Sequence, residues 1–370
     1  MTSTAPPPLV EIEGPVADRG RQYGRAADTR IKLGAGFYQG LLDARGMKWG
    51  PVMDTARVLL DRLQGVGPDQ HAEILAVAEG AGMDPAEVLL INGRSEVLNA
   101  GTMAASQRDR EDLDDGCTSA AVLPERTRDG RLLHGQNWDW RQECADFTVV
   151  LVVRREDGPD VMTYVEAGGL ARAGMNAIGV AITGNNLSTM DESWAKPGVP
   201  LSIIRRLALE ADSFPGALDA IAQTPRSISN NMTVSFAEAE GEIINLETTL
   251  GEVFWQVPEE GILTHANHFV TAAARAKLRD RGMVEGMNSL YRDRRVRRIL
   301  ERDGSAITDQ SIRTAFADTF GPPRGVLRAP QPGSDQISAT VASIIMDPGA
   351  GRMWVRQRPY LDGDYTEFRL

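Results

Sequence analysis

Cysteine and histidine are scarce in this chain, at two and four among 370 residues. Two cysteines, Cys117 and Cys144, exclude a disulfide framework; one bridge is the most they allow, and nothing in their placement demands it. The histidines are His71, His134, His265 and His268. The pair in "HANH" has no third ligand cluster near it in the sequence, so no metal site is expected. Positive charge is also in deficit: the net charge of −11 argues against a general binder of nucleic acid or of anionic membranes. No apolar run reaches the roughly eighteen residues that a membrane-spanning helix needs. The start, "MTSTAPPPLV", has neither the basic region nor the apolar stretch of a signal peptide. The glycine-rich "GGLARAG" (Gly168 to Gly174) lacks the lysine of a phosphate loop. These absences together suggest a cytoplasmic protein with Cys117 kept reduced; the reaction to which Cys117 points below needs no metal and no organic cofactor.

What remains is an ordinary globular composition, 42% hydrophobic and 25% charged, long enough for one large core or two smaller ones. Residues 1–8 read as a disordered lead-in. From Leu9 to about Ala100 the pattern is mostly helical. In "GPDQHAEILAVAEGAGMDPAEVLLING", Pro68 opens one helix and the Gly80 to Gly82 stretch closes it. Asp84 caps the next, with Pro85 at its first position and Glu87 three residues after the cap. "RGRQYGRAADTRI" (Arg19 to Ile31) suggests an earlier helix. Residues 101–115, "GTMAASQRDREDLDD", turn polar and charged and read as a linker.

After Asp115 the texture changes. "CTSAAVLPE", "RLLHGQNWDW", "FTVVLVVRRE", "DVMTYVEAGG" and "AIGVAITGNN" are short apolar or alternating runs separated by turn residues, which reads as consecutive strands. Helical texture returns at Leu201 to Thr224. Strands follow in "NMTVSFAEAEGEIINLETT", with a hairpin turn at Glu240-Gly241, and in "GEVFWQV". Arg275 to Ser311 reads as helical, and the end as a hairpin across Pro348 to Gly351. Strands, then helices, then strands again predict an α+β fold: antiparallel sheet with helices packed outside. Within "YRDRRVRRIL" (Tyr291 to Leu300) the apolar residues share one helix face. The arginines opposite read first as a solvated basic face, and second as a dock for an acidic substrate or partner.

Cys117 carries the functional reading. A lone cysteine is usually inert packing. This one follows a charged linker, stands first in an inferred strand, and comes after Gly116, which reaches backbone angles closed to other residues. A thiol at such a bend can attack the carbonyl of its own preceding residue. Hydrolysis of the resulting thioester leaves Cys117 with both a thiol and a free α-amine. The amine, with a pKa of about 7.7–8.0, accepts the proton of a thiol of about 8.5 near neutral pH, with no histidine needed.

"DGCTS" followed by "HGQNWDW" resembles the penicillin acyltransferase branch of the N-terminal-nucleophile (Ntn) hydrolases, the acyl-CoA:6-aminopenicillanic acid acyltransferase-like enzymes. Bile salt hydrolases and penicillin V acylases are more distant relatives. "AEILAVAEGAG", "DPAEVLLIN", "NAIGVAITGNNL", "THANHF" and "SATVASIIMDP" agree in form and order, so the resemblance runs from about Gly14 to Gln357. It implies a four-layer αββα sandwich and self-cleavage between Gly116 and Cys117. Residues 1–116 would form a helical segment and 117–370 the catalytic piece, the two staying together as one structural domain. By resemblance, Asp139 holds the α-amine of Cys117, and the Asn267 side chain donates to the oxyanion. A second donor comes from "TGNNL", Asn185 in preference to Asn186. Asn186, Gln136 and Ser338 are candidate substrate contacts; Gln136 stands where bile salt hydrolases carry arginine. Thr118, Ser119 and Thr340 have weaker supporting roles.

The implied reaction is hydrolysis of the amide of an N-acylated amine or amino acid through an acyl-thioester. The first alternative passes the same acyl group from acyl-CoA to an amine. The second is an unprocessed Cys-His peptidase using His265 or His268. The expected partner is a small N-acyl substrate, with no nucleic acid and no membrane; a homo-oligomer is left open.

Overall fold

The computed structural model describes residues 5–97, 116–190, 192, 198–285, 287–331 and 338–370. The expected linker at 101–115 lies outside the described residues. The N-terminal part, expected to be mostly helical, departs from that at its start. Leu9–Glu13 is a strand, β1, and Pro8 before it already accepts a hydrogen bond from Val150 N at 3.0 Å. Five helices follow: α1 (Val16–Ala26), α2 (Asp28–Ala44), α3 (Trp49–Val66), α4 (Pro68–Ala81) and α5 (Pro85–Asn92). The punctuation of α4 and α5 is as the sequence suggests. Pro68 is the first residue of α4, and Gly82 closes that helix in the left-handed conformation at φ 64°. Asp84 and Glu87 complete a capping box on α5. Helices α1 and α4 pack backbone to backbone. A Cβ on Gly20 or Gly24 would strike α4, and one on Gly80 would strike α1.

The strands from Cys117 onward form two sheets. In chain order they are β2 (Cys117–Val122), β3 (Leu133–Trp140), β4 (Thr148–Arg154), β5 (Val161–Glu166), β6 (Ala173–Asn176), β7 (Val180–Asn186), β8 (Asn230–Phe236), β9 (Glu242–Thr248), β10 (Val253–Gln256), β11 (Ile262–His265), β12 (Ala339–Asp347), β13 (Arg352–Gln357) and β14 (Thr366–Arg369). One sheet runs β1-β4-β5-β6-β7-β8-β9-β10 and the other β11-β2-β3-β12-β13-β14. Neighbouring strands are antiparallel except β1, which adds to β4 in parallel. The segment ahead of Cys117 therefore contributes an edge strand as well as helices.

Between β7 and β8 lie helices α6 (Leu201–Glu210) and α7 (Phe214–Gln223). The expected helical stretch over Arg275 to Ser311 is broken into α8 (Ala272–Lys277), α9 (Arg281–Glu285) and α10 (Ser289–Glu301), and α11 (Asp309–Phe316) overlaps its end. The helices α1, α6 and α7 pack on the eight-stranded sheet, and α10 and α11 on the six-stranded one. The two sheets meet where β2 and β3 contact β7. The result is the expected α+β sandwich in four layers, αββα. No helix of the described residues is long and apolar enough to cross a membrane.

Period-two alternation sorts the six-stranded sheet. On β2, Ser119 meets Asn185 of the opposing sheet, while Thr118 meets Arg292 of α10. On β3, His134 and Gln136 reach across to Thr183 and Gly184. Asn137 turns the other way and donates to Phe316 O and Val326 O. The layer between the sheets is thus partly polar, and its polar groups hydrogen-bond across the gap.

Buried charge ties the two halves of the chain together. Glu73 of α4 is fully buried and pairs with Arg19 of α1 at 3.2 Å and with Arg206 of α6 at 3.0 Å. Arg206 also pairs with Glu210 at 2.6 Å.

Candidate active site

Cys117 is the first residue of β2, 2% exposed, and it lines a cavity. Its register partner on β3 is Trp138. Asp139 is one residue further on, where the alternation turns it to the other face. There it accepts from Thr340 Oγ1 at 2.7 Å and pairs with Arg328 Nε at 3.2 Å, with both ions fully buried. Arg328 also donates to Ser338 Oγ at 2.8 Å and to Asn288 Oδ1 at 3.1 Å. A Cβ on Gly116 would collide with the Arg328 guanidinium. Glycine is required here because a guanidinium lies against the backbone. The Gly116–Cys117 peptide therefore runs between the Asp139–Arg328 ion pair and the thiol-lined cavity.

The nitrogen of Cys117 donates to Asn267 Oδ1 at 2.7 Å. The same oxygen accepts from Arg292 Nη2 at 2.8 Å, and Asn267 Nδ2 donates to Asn186 O at 3.0 Å. Arg292 Nη1 donates to Cys117 O at 2.6 Å and to Thr118 Oγ1 at 2.8 Å. Arg292 is 1% exposed. This corrects the reading of "YRDRRVRRIL" as a solvated basic face. Its second residue is buried in the site, and Arg295 is paired with Asp318.

Asn267 sits in a loop that Glu247 holds. The Glu247 carboxylate accepts from His265 Nε2 at 2.9 Å, Val270 N at 2.6 Å and Thr271 Oγ1 at 2.6 Å. Burial pushes this carboxyl upward, but the bonds from His265, Thr271 and Val270 outweigh it and hold its pKa below the usual range.

The candidates in "TGNNL" separate. Asn186 lines the cavity. Asn185 is fully buried between the sheets, where it donates to Ser119 Oγ at 3.1 Å and accepts from Gln136 Nε2 at 2.7 Å. Asn185, the preferred second donor, is held by Ser119 and Gln136 and is not among the residues lining this cavity, whereas Asn186 is. Gln136, expected at the substrate, is occupied instead by Asn185 and Gly184 O. Ser338, also expected there, is bound to Arg328 on the far face of the sheet. Strand alternation places Ser338 on the far face, whereas Gln136 and Asn185 share the inter-sheet face with Cys117 and are held there by each other and by Ser119.

The histidines are engaged elsewhere. His265 bonds Glu247 and Ala266 O, and His268 bonds Ser289 Oγ at 2.7 Å. Burial pushes the pKa of His268 down to about 3. Among the described residues no histidine is hydrogen-bonded to Cys117, so the geometry gives a Cys-His peptidase no base. Cys144 is a buried free cysteine packed in the core, with Tyr38 OH 3.7 Å from its sulfur.

The cavity walls include Arg94, Glu96, Glu166, Arg172 and Arg205. None of these stood out in the sequence. Arg94 and Arg172 share the carboxylate of Glu166, at 3.0 and 3.1 Å. Arg172 also lies 4.0 Å from the centre of the Trp138 ring. Residues 91–96 bring one wall to the cavity just ahead of the undescribed 98–115 stretch, so both sides of the Gly116–Cys117 bond build it.

Residues 126–358 match the family described as acyl-coenzyme A:6-aminopenicillanic acid acyl-transferase. The match begins after Cys117. A curated relative, the acyl-coenzyme A:6-aminopenicillanic-acid-acyltransferase 40 kDa form of Emericella nidulans, is 27% identical over 262 residues, covering 70% of this chain and 68% of that protein. Among solved structures, a Caenorhabditis elegans N-acylethanolamine-hydrolyzing acid amidase ortholog has 15% identity and a TM-score of 0.43, over 63% of this chain and 93% of that one. A mutant conjugated bile acid hydrolase from Clostridium perfringens has 13% identity and a TM-score of 0.44, over 68% and 92%. Penicillin V acylase from Agrobacterium tumefaciens has 12% identity and a TM-score of 0.43, over 69% and 86%.

Proposed function

The chain belongs to the acyl-coenzyme A:6-aminopenicillanic acid acyl-transferase family, and from that premise we propose that it is an N-terminal-cysteine amidohydrolase activated by cutting its own Gly116–Cys117 bond. The observation that carries this reading is the 2.7 Å contact from Cys117 N to Asn267 Oδ1, at a residue whose side chain lines the cavity. Before the cut that nitrogen belongs to a peptide. Afterwards it is the α-amine, already beside an acceptor that orients it.

The chemistry then runs in two halves. The Cys117 thiol attacks the substrate amide carbon while its own α-amine takes the proton. Negative charge collects on the carbonyl oxygen, where Asn267 Nδ2 is the donor we favour. The C–N bond breaks, the amine leaves with a proton returned from the ammonium, and an acyl-thioester remains. Water, deprotonated by the same amine, attacks the thioester and frees the acid and the thiol. Asp139 and Arg328 lie on the opposite face of the strand and form a charged backing to the scissile peptide. We assign them to positioning the new terminus.

The names of the family and of its curated relative favour a second use of the same thioester, in which an amine replaces water and acyl-CoA is the donor. Free acid release measured against acyl-CoA consumption separates the two. The first test is mass spectrometry of active protein. Fragments 1–116 and 117–370 support the proposal, together with loss of both cutting and activity in Cys117→Ala. An intact chain that releases amine from N-acyl compounds sinks it.

A further inference from the structure

Among the described residues, the cavity beside Cys117 is lined by more positive than negative charge, in a chain that is acidic as a whole. Three guanidiniums, Arg94, Arg172 and Arg205, face two carboxylates, Glu96 and Glu166. Glu166 is used by Arg94 and Arg172. Glu96 accepts the backbone N–H of Leu201 at 2.8 Å, and burial raises its pKa, so its charge is the less secure of the two. Arg205 is left over. It projects from α6, is 6% exposed, and has one hydrogen bond, to the neutral Asn230 Oδ1 at 3.2 Å. Its Nε has no partner, and among the described residues no carboxylate lies within ion-pair distance. Burial, with Arg172 beside it, pulls its pKa down to about 9 against the opposing pull of Cys117 and Glu96. Glu96 and Cys117 act on the guanidinium only through space, and a buried cation with no anion in direct contact is costly, so a ligand that brings one is favoured.

We infer that Arg205 is the anchor for a carboxylate on the substrate, so that the amide presented to Cys117 belongs to a small acid, with the carboxylate within a few atoms of the scissile bond. This rests on the amidohydrolase reading above and narrows its substrate class. The planar fork of a guanidinium matches a carboxylate with two parallel hydrogen bonds, and the unpartnered Nε supplies one of them. The wall position sets the reach. Gly184 lines the same cavity, and a Cβ there would run into the Arg205 guanidinium. Glycine at this position leaves room for the guanidinium against the strand at the cavity wall.

The test uses matched pairs of substrates with amine release as readout. One arm compares an N-acyl amino acid with the N-acyl alkylamine lacking the carboxylate. The other compares the mono-amide of a dicarboxylic acid with the simple fatty amide, which shows on which side of the bond the carboxylate sits. The wild type is expected to favour the acid of one pair by about 100-fold in kcat/KM, the scale of a buried charge contact. In Arg205→Gln that ratio collapses, chiefly through KM for the acid, and Arg205→Lys recovers part of it. A wild-type preference below about threefold in both arms overturns the inference. So does an equal loss on both members of a pair with a displaced pH profile, which assigns Arg205 to the Cys117 thiol instead. Thermal shift with the same compounds keeps the two proposals distinguishable. Stabilisation by the acid that is lost in Arg205→Gln, without any turnover, retains the anchor and rejects the amidohydrolase. No acid-specific shift and no acid preference rejects the anchor.

Discussion

Replacing Glu73 by glutamine tests how the two halves of the chain are held. Glu73 is fully buried and lies at 3.2 Å from Arg19 and 3.0 Å from Arg206. Those arginines come from α1, in the segment before Cys117, and from α6, in the segment after it. The remaining carboxylate, Glu210, is 2.6 Å from Arg206 and 3.7 Å from both Arg19 and Arg155. Glutamine keeps the shape and removes the charge, leaving three guanidiniums around one carboxylate. Breaking a buried pair from one side costs about 3–5 kcal/mol. That is a large part of the roughly 5–15 kcal/mol that holds a typical domain. Urea denaturation followed by tryptophan fluorescence reads the loss as a lower midpoint. In protein that has cut itself, size-exclusion chromatography in mild urea reads the same loss as earlier separation of the pieces. Glu79→Gln is the control, since its ion pair with Arg21 is largely solvent-exposed and contributes little. A Glu73→Gln midpoint that falls no further than that of the control refutes the network as a clamp.

Acid should destabilise the fold through two neutral histidines. Burial pushes His134 and His268 from an ordinary 6.5 to about 3. Between those values the unfolded chain binds the protons and the folded chain does not, so stability falls as pH drops from about 6.5 toward 3, by about 4 kcal/mol for each group. Urea midpoints across pH 7 to 4 measure this; a flat profile contradicts it. Gly116→Ala should stop self-cleavage or slow it severely, because its Cβ needs the space of a guanidinium that Asp139, Ser338 and Asn288 hold in place. A gel time course checks it, and cutting at the wild-type rate refutes the packing argument. Asn267→Ala, in protein already cut, should lower kcat by about 10²–10³; a loss confined to KM removes Asn267 from the oxyanion.

The local order of this protein is written in its sequence. Pro68, Gly82 and the Asp84–Glu87 box end and begin helices through contacts within a few residues, so they can be read without knowing the fold. The same holds for the alternating runs that become β2, β3 and β7, and for the hairpin turns at Gly241 and Gly351. Cys117 was legible because its chemistry depends on its own backbone and on the residue before it. The face on which each neighbour points was not. Asn186 lines the cavity, whereas Asn185 is held between the sheets by Ser119 and Gln136. The arginines of the site were hidden for a different reason. Charged residues usually lie in water, so Arg205, Arg292 and Arg328 read as surface. Each becomes a site residue only when distant parts of the chain close around it, as when Arg292 reaches a carbonyl 175 residues away. Separations of that length leave no periodic trace in the sequence, and only the packed layers decide which charges are buried and what they face.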